Sequence, residues 1–193
     1  IVSELRKDKK VLFFLAAFFF YIDGVYTIID MATAYGTALG LDTTGLLLAL
    51  LLTQIVAFPA ALLFGRISRK VSASRLILVC ISAYFLIALY GIGLHRQYQF
   101  WILAVCVGCF QGAVQSMSRS YYAKIIPAEK SGEYFGIYDI FGKGASFLGT
   151  MLMGITTQLA NNSKVGVAVI GGMLVLGFMI FHFKCRNVET KYS

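Results

Sequence analysis

The sequence is short of charge. Of its 193 residues only 13% are Asp, Glu, Lys or Arg, against 59% hydrophobic, and the mean hydropathy is +0.77. Soluble domains carry about 25% charged residues, so there is too little charge here to cover a water-facing surface. Proline is nearly absent, at two residues, and no linker or low-complexity tract breaks the chain. Four cysteines build no disulfide framework: Cys80, Cys106 and Cys109 lie inside apolar runs and Cys185 at the edge of one. Cys106 and Cys109 form a CxxC without a second pair, which reads as small residues packing a helix rather than metal or redox chemistry. The only histidines, His95 and His182, fall near helix ends. No Ser/Lys or paired-carboxylate constellation has catalytic spacing, so neither an enzyme nor a cofactor or metal is expected. A soluble enzyme, a secreted disulfide scaffold and a disordered tail are excluded.

What the chain has is long apolar runs. They occupy about 140 of the 193 residues, and a transmembrane helix takes about 20. Six spans are predicted, at roughly 11–38, 45–64, 75–94, 100–123, 133–159 and 164–184. The expected fold is an all-α membrane protein, multi-pass in the lipid bilayer, with no soluble domain. Three spans return the chain to the opposite side, so 11–94 and 100–184 would form two inverted three-helix repeats, an arrangement common in secondary transporters. The first span is no signal peptide: it is too long, runs past Asp23 and Asp30, and shows no small-residue cleavage site. A start at Ile rather than Met is what a piece of a longer chain would show.

The net charge of +8 invites a nucleic-acid reading until the charges are placed. Thirteen of the 17 Lys and Arg fall on one set of flanks: Arg6, Lys7, Lys9, Lys10, Arg66, Arg69, Lys70, Arg75, Lys124, Lys130, Lys184, Arg186 and Lys191. Only Arg96 and Lys164 lie in loops on the other side. That bias predicts two cytoplasmic termini, and no nucleic-acid partner is expected. Short loops and the lack of a targeting extension point to a bacterial inner membrane.

Polar residues mark three or four of the spans. The first carries Asp23, Thr27, Asp30, Thr33 and Thr37, three to four apart and so on one face. The fourth carries Gln111, Gln115, Ser118 and Tyr122, the fifth Asp139, Lys143, Ser146, Thr150 and Thr157, and the second Gln54 followed by Pro59. The third and sixth are nearly apolar all round and are expected to form the outer wall. An ionised side chain near the bilayer centre costs about 2.5–3.5 kcal/mol on insertion scales, so such stripes call for a water-filled pathway or a buried polar network. Asp23, about 18 Å into its helix, sits near the midplane. It either binds a proton, a cation or a substrate ammonium, or it hydrogen-bonds a neighbouring helix and fixes packing. Asp30 lies two turns further out. Asp139 and Lys143 have the i, i+4 spacing of a helical ion pair, although Lys143 could instead face a substrate carboxylate. Gln111 and Gln115 suit a polar solute or interhelical hydrogen bonds equally. Arg119, Glu133 and Asp139 lie at similar depth, as an ion-pair network locking one state would. Gly36/Gly40, Gly108/Gly112 and Gly132/Gly136 each form GxxxG, expected to let helices approach closely.

Phe64 and Gly65, followed by Arg66, Arg69 and Lys70, resemble a degenerate copy of the loop joining the second and third helices of each half in the major facilitator superfamily. The copy lacks that loop's usual Asp. Tyr21-Ile22-Asp23-Gly24-Val25-Tyr26-Thr27-Ile28 resembles the Asp-Gly-Val-x-Thr-Ile signature of the family that includes the autophagy-related vacuolar amino-acid effluxers and a bacterial major-facilitator branch. Ile22 and Tyr26 stand where polar residues are expected. The tracts from Gln111-Gly112 to Ser118-Arg119-Ser120, and from Ile126-Pro127 through Gly132 to Asp139 and Lys143, agree with the same family. The resemblance implies the C-terminal six-helix half of a twelve-helix transporter, with an N-terminal half as partner and a small polar solute, an amino acid, as substrate. It implies a substrate or proton site among Asp23, Thr27, Asp30, Gln54, Gln111, Gln115 and Lys143, and a cytoplasmic gate of Arg69, Lys70, Arg119, Glu133 and Asp139. This half alone is expected not to transport, and its open half-cavity could pair with another copy. The alternative reading is a membrane-embedded receptor or scaffold that binds without moving its ligand.

Overall fold

The structure, a computed structural model, describes residues 8–185. Six long helices follow one another: α1 (Lys9–Ala38), α2 (Thr43–Ile67), α3 (Ala73–Ile92), α4 (Gln97–Ile125), α5 (Ser131–Ala160) and α6 (Ser163–Ile180), the last running into a wide π-type turn, Phe181–Cys185. A short 3₁₀ turn, Ala128–Lys130, precedes α5. Helices α1, α2 and α6 start where side chains cap them: Asp8 accepts from Lys10 N, Asp42 from Gly45 N and Asn162 from Lys164 N. Helix α1 stops before Gly40, with φ +76°, and α5 at Asn161, with φ 49°, both left-handed. Pro127 separates α4 from α5, whereas Pro59 sits inside α2 without ending it.

Five of the six helices are long and apolar enough to cross a membrane; α5 equals α1 in length but falls short in apolarity. The cause is its polar stripe of Glu133, Asp139, Lys143, Ser146, Thr150 and Thr157. Lys9, Lys10, Arg66, Arg69, Lys70, Arg75, Lys124, Lys130 and Lys184 lie at one end of the bundle and Arg96 and Lys164 at the other. Arg6, Lys7, Arg186 and Lys191 fall outside the described residues.

Helix α1 packs on α5 and α6, α4 packs on α2 and α3, α3 meets α6, and α5 lies against α6. Tyr21 and Ser118, with hydroxyl oxygens 2.6 Å apart, tie α1 to α4. Exchanging the first three helices for the last three maps each of these pairings onto another or onto itself, α5–α6 excepted. At the basic end an aromatic core joins α1, α4, α5 and the π-type turn: Phe14 stacks on Tyr121 at 5.1 Å and Phe18 on Tyr138 at 4.2 Å, with Phe181 edge-on to Phe14. Two of its phenols are satisfied inside the protein, Tyr121 donating to Cys185 O and Tyr122 to Tyr134 O.

The outer-wall expectation for the third and sixth spans meets a difference at α2. Val79, Leu86 and Leu89 of α3, and Val175, Leu176 and Met179 of α6, do face outward. Yet α2 is the most exposed: 17% of its most apolar stretch is buried, against 56% for α1. Composition alone does not distinguish a helix apolar on all sides from one with a single partner, and α2 has one main partner, α4. In that seam a Cβ on Gly108 would stand 2.7 Å from Thr53 O and one on Gly112 would stand 3.1 Å from Ala61 Cβ, so this GxxxG does bring two helices together. At Gly132 and Gly136 a Cβ would meet nothing within 4 Å, so that copy of the motif packs against no described residue.

Candidate functional site

Along α1 the acidic face divides in two. Asp23 and Thr27 are fully buried, turned into the seam with α5. There Asp23 Oδ1 accepts the backbone N–H of Gly149 at 2.7 Å, and Thr27 Oγ1 donates to the same oxygen at 3.4 Å. Gly149 is what admits the carboxylate: a Cβ at that position would collide with Asp23 Oδ1 and Thr27 Oγ1. Oδ2 of Asp23 is buried with no hydrogen-bond partner. A buried carboxylate oxygen without a partner is costly, which singles Asp23 out from a purely structural acid.

Two turns further, Asp30 is exposed and accepts from Ser146 Oγ at 3.0 Å. It opens onto a cleft of about 500 Å³ between α1 and α5, lined by Phe18, Tyr26, Asp30, Tyr138, Asp139, Gly142, Lys143 and Ser146. Asp139 and Lys143 form no ion pair with each other, despite their spacing on α5; each reaches the cleft as a separate charge. Two carboxylates, one ammonium and three hydroxyls therefore converge on one cavity in a bundle of membrane-length helices. The carboxylates match a cationic group, Lys143 matches an anionic one, and the hydroxyls of Tyr26, Tyr138 and Ser146 can donate or accept beside them.

The other expected residues are placed apart from the cleft. Gln54 is exposed on α2, while Gln111 and Gln115 are half-buried on α4, Gln111 Oε1 being enclosed without a partner. Arg119 is exposed, its guanidinium 4.9 Å from the centre of the Phe135 ring, a cation–π contact from α4 to α5. Glu133, Arg69 and Lys70 are exposed at the basic end. Arg119 makes no ion pair with Glu133 or Asp139, and Asp139 belongs with Asp30 and Lys143 instead.

Sequence reasoning did not single out Gly149, Tyr138 or Ser146 as site residues. Ser146 lies on the α5 stripe, and Gly142 and Gly149, seven apart, mark the same α5 face. Tyr138 has no distinguishing signal, since its ring is also part of the aromatic core.

A bundle of this kind, with charges gathered in a cleft between membrane-length helices, is that of a multi-pass membrane protein. The sequence profile of the family described as vacuole effluxer Atg22 like matches residues 1–189, and the chain belongs to that family. It is 38% identical over 192 residues to an uncharacterized MFS-type transporter, YxiO, of Bacillus subtilis, covering 100% of this chain and 45% of the relative. It is 31% identical over 193 residues to autophagy-related protein 22 of Candida glabrata, covering 94% of this chain and 35% of that protein. Autophagy-related protein 22 of Vanderwaltozyma polyspora is 30% identical over 192 residues, with 93% and 36% covered. The chain thus spans less than half the length of these curated relatives.

Proposed function

We propose that this chain is the C-terminal six-helix half of a major-facilitator secondary transporter that moves a small polar solute, an amino acid, by rocking alternating access. The observation that carries the reading is the α1–α5 cleft, where Asp30, Asp139 and Lys143 converge with three hydroxyls. A zwitterion is complementary to it, with its ammonium toward the acids and its carboxylate toward Lys143. Gln111 and Gln115 add hydrogen bonds from α4. Asp23 takes the coupling proton. Asp23 and Asp30 both hold α5, at Gly149 and Ser146, so a proton or solute that alters either contact alters how α5 sits on α1.

Several observations support the architecture. The near-invariance of the helix pairings under exchange of the two halves fits inverted repeats at 11–94 and 100–184. Helix α5, 30 residues long, reaches about 45 Å at 1.5 Å per residue, enough to serve as the sixth span with its charges turned to the cleft. The broadly exposed α2 leaves a face for an N-terminal six-helix half, or for a second copy of the isolated chain. The relatives' greater length agrees with the former. Arg119 and Glu133, with Arg69 and Lys70, would form the cytoplasmic gate, and Asp139, first expected among them, serves the cleft. By the positive-inside bias both termini face the cytoplasm, across a bacterial inner membrane.

The test is uptake by the intact protein in proteoliposomes from an amino-acid panel, with and without an imposed pH gradient. Uptake that follows the gradient is expected, and the 193-residue chain alone is expected to give none. Binding without flux for every amino acid would reassign the protein as a membrane-embedded receptor or scaffold.

A further inference from the structure

We propose that the groove between α3 and α6 is a binding site for an anionic phospholipid, with an acyl chain in the groove and the phosphate on Lys164. The groove has a volume of about 290 Å³ and an almost wholly apolar lining, including Phe85, Leu89 and Ile92 of α3 and Gly171, Gly172 and Leu176 of α6. Both helices are of membrane-crossing length and apolarity, so the groove opens where acyl chains lie. Gly171 and Gly172 lie on its α6 wall. A Cβ on Gly171 would make ordinary contact with Phe85 Cε2 at 3.8 Å, while a Cβ on Gly172 would enter open space.

Charge at the mouth selects the headgroup. The groove runs to Ile92 and Val167, three residues from His95 and Lys164 respectively. His95 Nδ1 lies 2.7 Å from Gly93 O, an oxygen that only accepts, so Nδ1 carries the proton. Nε2 therefore accepts from the Lys164 ammonium, at 3.1 Å. That contact fixes the ammonium between the end of α3 and the start of α6 and leaves two of its N–H groups for a phosphate. Arg96, which follows His95 in the chain, is exposed. Among the described residues in the loops at this end of the bundle the one acid is Asp42, and it is occupied in capping α2 through Gly45 N. A cationic mouth above a lipid-facing apolar groove matches a lipid with a net negative headgroup. It does not favour a neutral one. A lipid seated there would bridge α3 and α6, one of the contacts between the first and second three-helix groups.

The intact protein, purified in detergent and incubated with phosphatidylglycerol or phosphatidylcholine, would be assayed by native mass spectrometry for retained lipid. Wild type should retain phosphatidylglycerol in preference to phosphatidylcholine. Lys164→Gln should lower phosphatidylglycerol retention about fivefold, the effect of one basic residue near a lipid surface, with phosphatidylcholine unchanged, and Lys164→Arg should restore it. Gly172→Leu, whose Cβ would meet nothing within 4 Å and whose side chain would occupy the groove, should lower retention of both lipids while the melting temperature holds. Equal retention of the two lipids by wild type, or a preference that survives Lys164→Gln, would overturn the headgroup assignment. Full retention by Gly172→Leu would overturn the groove.

Discussion

Asp23 reaches across from α1 and accepts the backbone N–H of Gly149 on α5 at 2.7 Å, and the missing side chain of Gly149 is what lets it do so. A methyl group at position 149 would occupy the space of the Asp23 and Thr27 oxygens, so either α5 moves off α1 or the carboxylate loses its donor. Gly149→Ala is expected to destabilise the bundle by about 1–3 kcal/mol, the usual cost of overpacking a tight interface. A thermal melt of the purified protein measures this. An unchanged melting temperature would mean that the seam yields more easily than its geometry implies.

Replacing Asp23 separates its two roles. Asn keeps an oxygen able to accept from Gly149, so Asp23→Asn should stay within ~1 kcal/mol of wild type, since one net hydrogen bond is worth about that. Asp23→Ala removes the acceptor and leaves a cavity, at an expected cost of about 2–4 kcal/mol. If Asp23 carries the coupling proton, Asp23→Asn should abolish gradient-driven uptake despite its stability. Counterflow exchange of solute, which needs no net proton movement, should persist. Uptake that still follows the pH gradient in Asp23→Asn would remove the coupling role and leave Asp23 as a packing acid.

The helices themselves were open to sequence reading. The spans expected at 11–38, 75–94 and 133–159 became α1, α3 and α5, with limits that differ by two residues or fewer, because apolar runs and capping residues are local properties. Which way a polar residue turns is not local. Asp23, Thr27 and Asp30 share a helical face, yet Asp23 is enclosed against the backbone of α5 whereas Asp30 meets the Ser146 side chain at an open cleft. Asp139 could be assigned to a gate or to a substrate site on spacing alone. Its neighbours across the cleft come from another helix, and no periodicity within α5 contains them.

The glycine motifs carry the same lesson into a measurement. Gly108/Gly112 and Gly132/Gly136 are indistinguishable as sequence, but only the first pair lies against another helix. Gly108→Ala would press a methyl on Thr53 O and is expected to cost about 1–3 kcal/mol. Gly136→Ala faces open space inside a helix and should be neutral or stabilise by roughly 0.5–1 kcal/mol through backbone entropy. Parallel melts of the two variants would decide the point. Equal losses would mean that Gly136 has a partner outside the described residues, such as a second half of the protein.

Tyr26, one of the two residues that depart from the resembled signature, lines the cavity with Asp30, Asp139 and Lys143. Its ring takes up space that a smaller polar residue would leave free, and its hydroxyl adds one hydrogen bond. Tyr26→Phe should weaken binding of a zwitterion by about three- to tenfold, the value of one such bond. Lys143→Gln should weaken it by about ten- to a hundredfold through loss of a charged partner for the solute carboxylate. Tyr26→Ser keeps a hydroxyl and opens the cleft, so it should extend uptake to amino acids with bulkier side chains while leaving the small ones near wild type. Half-saturation concentrations across a size-graded amino-acid series would test all three variants. If Lys143→Gln and Tyr26→Phe left every value unchanged, the solute would not be bound in the α1–α5 cleft, and Gln54, Gln111 and Gln115 on α2 and α4 would become the residues to vary.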